Sequence, residues 1–170
     1  YLLKIKQRPL TYTLADKITD RLLTWENFLK KYPNTELTLI GNASEEKKAI
    51  LLKNADYSEN LKIVNASSQI CMCKILKQND IFILPSYYEA LGLVAVEALA
   101  CGIFTVTTEI EGLINLLGEK INTSGIIEFV KLPRIYDVDK AYEEDKPAFV
   151  EALSEKIMLQ MERLKSQKDF

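Results

Sequence analysis

Two carboxylates, Glu89 and Glu97, stand on either side of Gly92, where an apolar run gives way to a helical pattern. The first amides of a helix lack intrahelical partners and carry partial positive charge, so they attract anions. We therefore expect the amides around Leu91, Gly92 and Leu93 to hold a phosphate, because glycine allows close approach of the backbone. The two carboxylates would not bind that phosphate but would accept hydrogen bonds from hydroxyls beside it.

The segments around these residues predict a strand–loop–helix–strand unit. Residues 81–84 form a wholly apolar run, which is typical of a strand buried on both faces, and Pro85 ends it. Gly102 ends the helix that follows, and residues 103–107 form the next strand. The loop then lies at the carboxyl end of a strand, where open parallel sheets bind ligands. A ligand with a phosphate between two polyols, such as a nucleotide sugar, fits this chemistry.

The composition excludes several classes of function. A net charge of −2 over 170 residues gives no electrostatic case for nucleic acid or for an anionic membrane. No apolar run approaches the length of a membrane span. The absence of histidine removes His-activated nucleophiles and His-ligated zinc. Three cysteines fit no disulfide framework, which favours a reducing, cytoplasmic compartment.

The pattern of apolar runs predicts the fold class. About six strands are expected, at residues 1–5, 36–40, 61–64, 81–84, 103–107 and 126–130. Helical patterns lie at residues 14–32, 44–54, 69–78, 92–102 and 113–117, and a final helix follows Asp145. Residues 7–12 contain a proline and are predicted to form a loop. The alternation indicates an α/β fold with a Rossmann-like parallel sheet and helices on both faces, in one domain over residues 1–170.

One stretch carries a family resemblance: Pro85-Ser86-x-x-Glu89-x-x-Gly92-Leu93-x-x-x-Glu97-Ala98-x-Ala100-x-Gly102. It resembles the signature of retaining glycosyltransferases of the GT-B fold, family GT4. The resemblance implies that Glu89 is the catalytic-site carboxylate that contacts hydroxyls of the donor sugar, and that Glu97 holds the ribose. It implies that the amides of Ala90, Leu91, Gly92 and Leu93 face the diphosphate. Gly41, after the strand at residues 36–40, would lie beside the nucleotide.

The first loop departs from the family pattern. Relatives carry an arginine after the first strand and a lysine about five residues later, and both reach the donor phosphates. The candidates here are Arg8 and Lys17, which are further apart, and Gln7 stands where a glycine usually precedes the arginine. Without these two cations, less positive charge would stabilise the departing diphosphate.

The resemblance implies a role within a longer enzyme. The chain begins with Tyr1 rather than methionine, and we expect it to be the carboxyl-terminal, donor-binding half of a two-domain protein that is inactive by itself. The intact enzyme would transfer a hexose from a UDP-, GDP- or ADP-sugar to a sugar, lipid or protein acceptor bound by the other half. No metal or cofactor is expected. Asp137 and Asp139 form a D-x-D, the metal motif of the unrelated GT-A fold, but an acidic loop is usually only solvated.

Two other functions remain open at this stage. A GT-B-like domain can serve as a non-catalytic binding or chaperone partner of a true transferase, and the altered arginine–lysine loop keeps that alternative. A nucleotide-sugar epimerase of related fold is the weaker alternative, since it would need no acceptor. Nucleotide-sugar binding separates the first alternative from a transferase, and product analysis separates the second.

Overall fold

The computed structural model confirms an α/β fold, as the alternation of apolar runs predicts. It describes residues 2–5, 8–13, 32–41, 45, 49, 58–138 and 140–168. The chain divides into two compact units, residues 1–82 and residues 83–170, and the boundary falls within a strand, β5 (Ile81–Leu84). Among the described residues, no helix is both long and apolar enough to cross a bilayer.

The first unit contains strands and one described helix. Its elements are β1 (Leu2–Ile5), β2 (Arg8–Thr13), β3 (Thr35–Ile40), β4 (Leu61–Val64) and α1 (Gln69–Lys77). Strands β2, β3 and β4 run parallel, with Leu37 opposite Leu61, whereas β1 runs antiparallel to β2. Ser68 caps α1 by accepting a hydrogen bond from the Cys71 amide at 3.2 Å. The parallel ladder agrees with the predicted sheet, and β1 departs from it.

The predicted loop at residues 7–12 is wrong, because residues 8–13 form β2. Pro9 suggested a loop since proline cannot donate to a strand ladder. Proline is tolerated near the start of a strand, however, and here it is the second residue of β2. The Thr-Tyr-Thr sequence at residues 11–13 supplies the β-branched and aromatic side chains that favour a strand.

The second unit holds the segments that the sequence places around Glu89. Its elements after β5 are α2 (Leu93–Ala100), β6 (Phe104–Thr108), α3 (Glu111–Asn122), β7 (Ile127–Val130), β8 (Ile135–Asp137), β9 (Lys140–Ala141) and α4 (Lys146–Lys168). Strands β6 and β7 pair in parallel, and β8 and β9 form an antiparallel hairpin. All five residues of β6 are buried, which explains its apolar and β-branched composition.

One helix differs from its prediction, and two predicted helices lie almost entirely outside the described residues. The helix predicted at residues 113–117 extends to Asn122, although Gly118 interrupts it with φ +72° and ψ 169°. A glycine can take this conformation and the chain then resumes its helical turn, so Gly118 marks a kink rather than an end. The helix predicted at residues 14–32 lies outside the described residues, apart from Tyr32, and the one at residues 44–54 lies outside them apart from residues 45 and 49.

Three polar contacts hold α4 against β6 and β7. The fully buried Gln160 donates a hydrogen bond to the Thr105 carbonyl at 3.2 Å. The Glu128 carboxylate on β7 forms ion pairs with Nζ of Lys156 and with Nη1 of Arg163, each at 2.6 Å. Burial alone would raise the pKa of the Glu128 carboxyl, but the hydrogen bonds from Lys156 and Arg163, reinforced by their charges, outweigh burial and lower it.

Candidate functional site

The loop between β5 and α2, residues 85–92, is the candidate site, and we call it the β5–α2 loop. Gly92 ends the loop as the residue before α2, with φ +59° and ψ 41°. A Cβ atom at this position would lie 3.1 Å from Cδ1 of Ile110 and 3.4 Å from Cδ2 of Leu84. Glycine is therefore required here for two reasons. Other residues rarely adopt a left-handed conformation, and the space that a Cβ atom would need is filled by Ile110 and Leu84.

The start of the loop is fixed by the neighbouring strand β6. The Thr107 hydroxyl donates to the Leu84 carbonyl at 3.1 Å, and the Thr108 hydroxyl donates to the Ser86 carbonyl at 2.7 Å. Both threonines are buried, so these bonds satisfy polar groups that would otherwise be costly to bury. The chain leaves β5 along a defined path as a result.

Two further contacts hold the middle of the loop. The ring of Tyr87 meets that of Phe149 edge to face, with centroids 5.3 Å apart and planes at 72°. Gly112, in the first turn of α3, approaches Ala90 so closely that an added Cβ atom would collide with the Ala90 carbonyl oxygen. The loop is thus supported at Tyr87 and at Ala90.

Glu89 lies between these two supports and is exposed to solvent, as is Tyr88, which is 70% exposed. Glu97 is half-buried on α2, four residues after Leu93, which is 58% exposed. Residues four apart lie on the same face of a helix, so Glu97 shares its face with the exposed start of α2. Within the described part of the chain, neither carboxylate makes a hydrogen bond or an ion pair, and both remain available to a ligand.

The start of α2 also offers donors. The first bond of the helix runs from the Ala95 amide to the Gly92 carbonyl at 2.8 Å. The amides that precede it, including that of Leu93, are among those that a helix leaves without an intrahelical acceptor. Ala90 and Leu91 are exposed and complete the predicted set. The start of α2 therefore offers amide donors, with Glu89 four residues before the helix and Glu97 in its second turn, which suits a ligand that contains both phosphate and hydroxyl groups.

The first unit contains the other predicted donor-binding residues. Gly41 follows β3, and its amide donates to the Val64 carbonyl at 3.1 Å. Arg8 is the first residue of β2 and pairs with Thr35, the first residue of β3. Arg8 and Gly41 thus lie at opposite ends of the parallel β2–β3 pair, about 20 Å apart along the strands, and the structure does not bring them together. Lys17 lies outside the described residues.

The D-x-D motif falls at the β8–β9 hairpin. Asp137 forms an ion pair with Lys140, at 2.5 Å, and Asp139 is not among the described residues. No group of three or more potential metal ligands occurs among the residues that the structure covers. No disulfide bond joins Cys71, Cys73 and Cys101.

The sequence analysis missed the residues that support the loop: Thr108, Gly112 and Phe149. Gly112 carried a usable signal, because a glycine in the first turn of a helix loses stability relative to alanine and so suggests close packing. Phe149 carried none, since nothing in an apolar helix position indicates which loop it touches. Tyr87 lay inside the recognised motif but at one of its unspecified positions.

The comparison with known families agrees with this arrangement. Residues 16–131 match the family described as "Glycosyl transferases group 1", which is more than half of the chain. The architecture is that of the Rossmann-like half of a GT-B glycosyltransferase. The chain belongs to the glycosyl transferases group 1 family.

Individual relatives are distant. An uncharacterized glycosyltransferase from Haemophilus influenzae is 30% identical over 83 residues, which are 48% of this chain and 23% of that protein. The pneumococcal O-GlcNAc transferase GtfA, solved in complex with UDP and GlcNAc, superposes with a TM-score of 0.64 and 14% identity, over 95% of this chain and 30% of that one. The C-terminal domain of the glycosyl transferase group 1 family protein LpcC from Francisella tularensis gives a TM-score of 0.60 and 19% identity, over 92% of this chain and 80% of that one.

These likenesses define the fold of the chain. The matches span between 15% and 23% of the length of the curated relatives. The solved neighbours share less than a quarter of their residues with this chain, so they show its architecture alone.

Proposed function

We propose that this chain is the donor-binding domain of a retaining glycosyltransferase of family GT4, within a longer two-domain enzyme. That enzyme transfers a hexose from a nucleoside diphosphate sugar to an acceptor. The observation that carries the proposal is the position of Glu89, which is exposed in the β5–α2 loop between two supported neighbours. A carboxylate fixed through its neighbours is suited to orient a sugar.

The roles follow from the chemistry at the start of α2. The diphosphate lies against the amides of residues 90–93, where the partial positive charge of the helix end favours an anion. Glu89 accepts hydrogen bonds from donor-sugar hydroxyls, and Glu97 accepts them from the ribose. When the sugar leaves, negative charge builds up on the diphosphate, and the same amides stabilise it.

The proposed site also includes cations and a glycine from the first unit. Arg8 or Lys17 would add positive charge at the diphosphate, and Gly41 would let the nucleotide approach β3. Arg8 and Gly41 lie at opposite ends of the β2–β3 pair. We therefore propose that the α2 amides provide most of the stabilisation of the negative charge on the diphosphate. The proposal includes no metal ion, and it places the enzyme in the cytoplasm with the acceptor on its other half.

Calorimetric titration of this chain with UDP-glucose, GDP-mannose and ADP-glucose tests the proposal. We expect one donor to bind, and we expect Glu97→Ala to weaken that donor's binding about tenfold or more, since two hydrogen bonds to a charged group are lost. Glu151→Ala, which removes an exposed carboxylate from α4, is the matched control and should bind normally. If neither this chain nor the full-length protein binds any donor, the proposal is wrong.

A non-catalytic partner domain is the second candidate, and the position of Arg8 favours it. Arg8 begins β2, at the opposite end of the parallel β2–β3 pair from Gly41, so the backbone does not bring the arginine beside the residue that would lie next to the nucleotide. The two candidates differ in turnover by the full-length protein. A transferase consumes the donor when it is given an acceptor, whereas a partner domain changes only the activity of another protein.

A further inference from the structure

The first turn of α4 reaches the β5–α2 loop through Phe149. This side chain is 4% exposed, and its ring contacts Tyr87 in the edge-to-face geometry given above. Aromatic pairs in this geometry interact more strongly than their buried area alone predicts. Tyr87 lies two residues before Glu89, so the contact acts next to the carboxylate without touching it.

The start of α4 is itself fixed from a second direction. Arg134 donates to Asp145, the residue before α4, from its side-chain Nε at 2.7 Å, from Nη2 at 2.9 Å and from its backbone amide at 3.1 Å. The same Nη2 donates to Glu144 at 3.0 Å. The hydrogen bonds from Arg134 hold the pKa of Asp145 below its usual range. Two-pronged contacts of this kind set orientation as well as distance.

The body of α4 is fixed as well. Gln160 binds the Thr105 carbonyl, and Arg163 donates to the Gly125 carbonyl at 2.8 Å in addition to Glu128. Phe149 therefore projects from a helix that polar contacts hold near its start and along its length. A side chain on such an element defines the position of its partner better than one on another loop would.

We propose that Phe149 is a positioning residue for the donor site, acting through Tyr87 to hold the β5–α2 loop in its binding conformation. That the loop binds a nucleotide rests on the proposed function, whereas the packing of Phe149 against Tyr87 does not. Glu89 is exposed and has no hydrogen bond or ion pair within the described part of the chain, so its location derives from Tyr87 on one side and Ala90 on the other. Loss of the Phe149 ring removes the edge-to-face contact at Tyr87.

The experiment combines hydrogen exchange with UDP binding in the whole chain. In Phe149→Leu, which keeps an apolar side chain, we expect the amides of residues 87–91 to exchange several times faster than in the unaltered chain. We expect the dissociation constant for UDP to rise roughly three- to tenfold, the range that corresponds to one aromatic pair. If UDP does not bind the unaltered chain, GDP and ADP serve as the probe.

Matched variants separate positioning from general damage. Phe104→Leu makes the same change at a buried position at the opposite end of β6 from Thr108, and it should leave the exchange of residues 87–91 unaltered. Tyr87→Leu and Tyr87→Phe both lose the hydroxyl, so the difference between them reports the ring alone. The dissociation constant for UDP should be roughly three- to tenfold lower in Tyr87→Phe than in Tyr87→Leu, the same factor that is expected for Phe149→Leu.

The outcomes are distinguishable. If Phe149→Leu and Phe104→Leu exchange alike over residues 87–91, the inference is overturned, whatever the nucleotide does. Faster exchange with an unchanged dissociation constant also overturns it, because the loop would then bind without this support. If the unaltered chain and the full-length protein bind no nucleotide, the proposed function fails, and with it the ligand part of the inference, while the exchange comparison still judges the packing part.

Discussion

The two consecutive connections after β5 and β6 are built differently. The first, residues 85–92, is long and exposes Tyr88 and Glu89. The second consists of Glu109 and Ile110, and Ile110 is buried as the residue before α3. Both connections lead from a buried strand into a helix that has no side-chain cap. They differ in length and in the number of residues that they expose to solvent.

The short connection supports the long one. Ile110 fills the space in which a side chain on Gly92 would lie, and Gly112, two residues further on, admits the Ala90 carbonyl. Buried, tightly packed groups move little, and an exposed group gains a defined position only from contacts made by its neighbours. This unit therefore packs its short connection tightly and leaves Tyr88 and Glu89 of its long connection exposed.

The largest expected effect comes from the exposed carboxylates of the two connections. In the full-length enzyme, Glu89→Gln should lower kcat by about 100-fold or more, because the carboxylate that we propose to accept hydrogen bonds from sugar hydroxyls is lost. Glu109→Gln makes the same change in the short connection and should alter kcat by less than about twofold. Steady-state kinetics with the preferred donor measures both, and equal losses would show that the two connections do not differ in function.

The next effect concerns the contact between the connections. Gly112→Ala places a methyl group against the Ala90 carbonyl, so the loop must shift, and we expect the UDP dissociation constant to rise about tenfold. Gly102→Ala is the control, because its added methyl group meets nothing within 4 Å and only the backbone at φ +75° is strained. Calorimetry should find normal UDP affinity in the control. Similar affinity in both variants would contradict a supporting role for Gly112.

A smaller effect is expected at Glu128, which holds α4 against β7. The folded-state pKa of Glu128 is lowered, so its contribution to stability is present above the unfolded value, about 4.3, and is lost as the pH falls through the folded value. Glu128→Gln should therefore lower the free energy of unfolding at pH 7 by about 1 kcal/mol. It should also flatten the decline in stability below about pH 4.5.

Urea denaturation of the unaltered chain and of Glu128→Gln between pH 7 and pH 3 measures this difference. The UDP dissociation constant at pH 7 should stay within about twofold, because Glu128 supports α4 and is remote in sequence from the β5–α2 loop. An identical pH dependence of stability in the two proteins would refute the stabilising role of the carboxylate.

The smallest effect is expected at the D-x-D. Asp137 already pairs with Lys140 on an exposed hairpin, and Asp137→Asn should change the kcat of the full-length enzyme by less than about twofold. The chelator EDTA should likewise leave kcat unchanged. A loss of activity in both tests would show that a metal ion bound near Asp137 takes part in the reaction.

The sequence predicts what local patterns encode and misses what depends on contact through space. Residues 81–84 and 104–108 are continuous apolar or β-branched runs, so their strands were recognisable without the fold. The prediction for β2 is wrong because it treats Pro9 as excluding a strand. Proline is excluded from the central positions of a strand ladder but not from the start of a strand. The position of Gly92 at the start of a helix could be predicted, because the helical pattern follows it directly in the sequence. The approach of Gly112 to Ala90 joins segments with no shared periodicity, so no pattern encodes it.

The central claim is that the β5–α2 loop and the start of α2 receive the nucleotide. The most direct test is an NMR titration of the 15N-labelled chain with UDP, or with GDP or ADP if UDP does not bind, in which amide chemical shifts report the site residue by residue. The account predicts that the largest shifts occur at residues 89–94 and at Glu97, with none above background in the β8–β9 hairpin. Saturable shifts confined to other segments, with residues 89–97 unmoved, would contradict it.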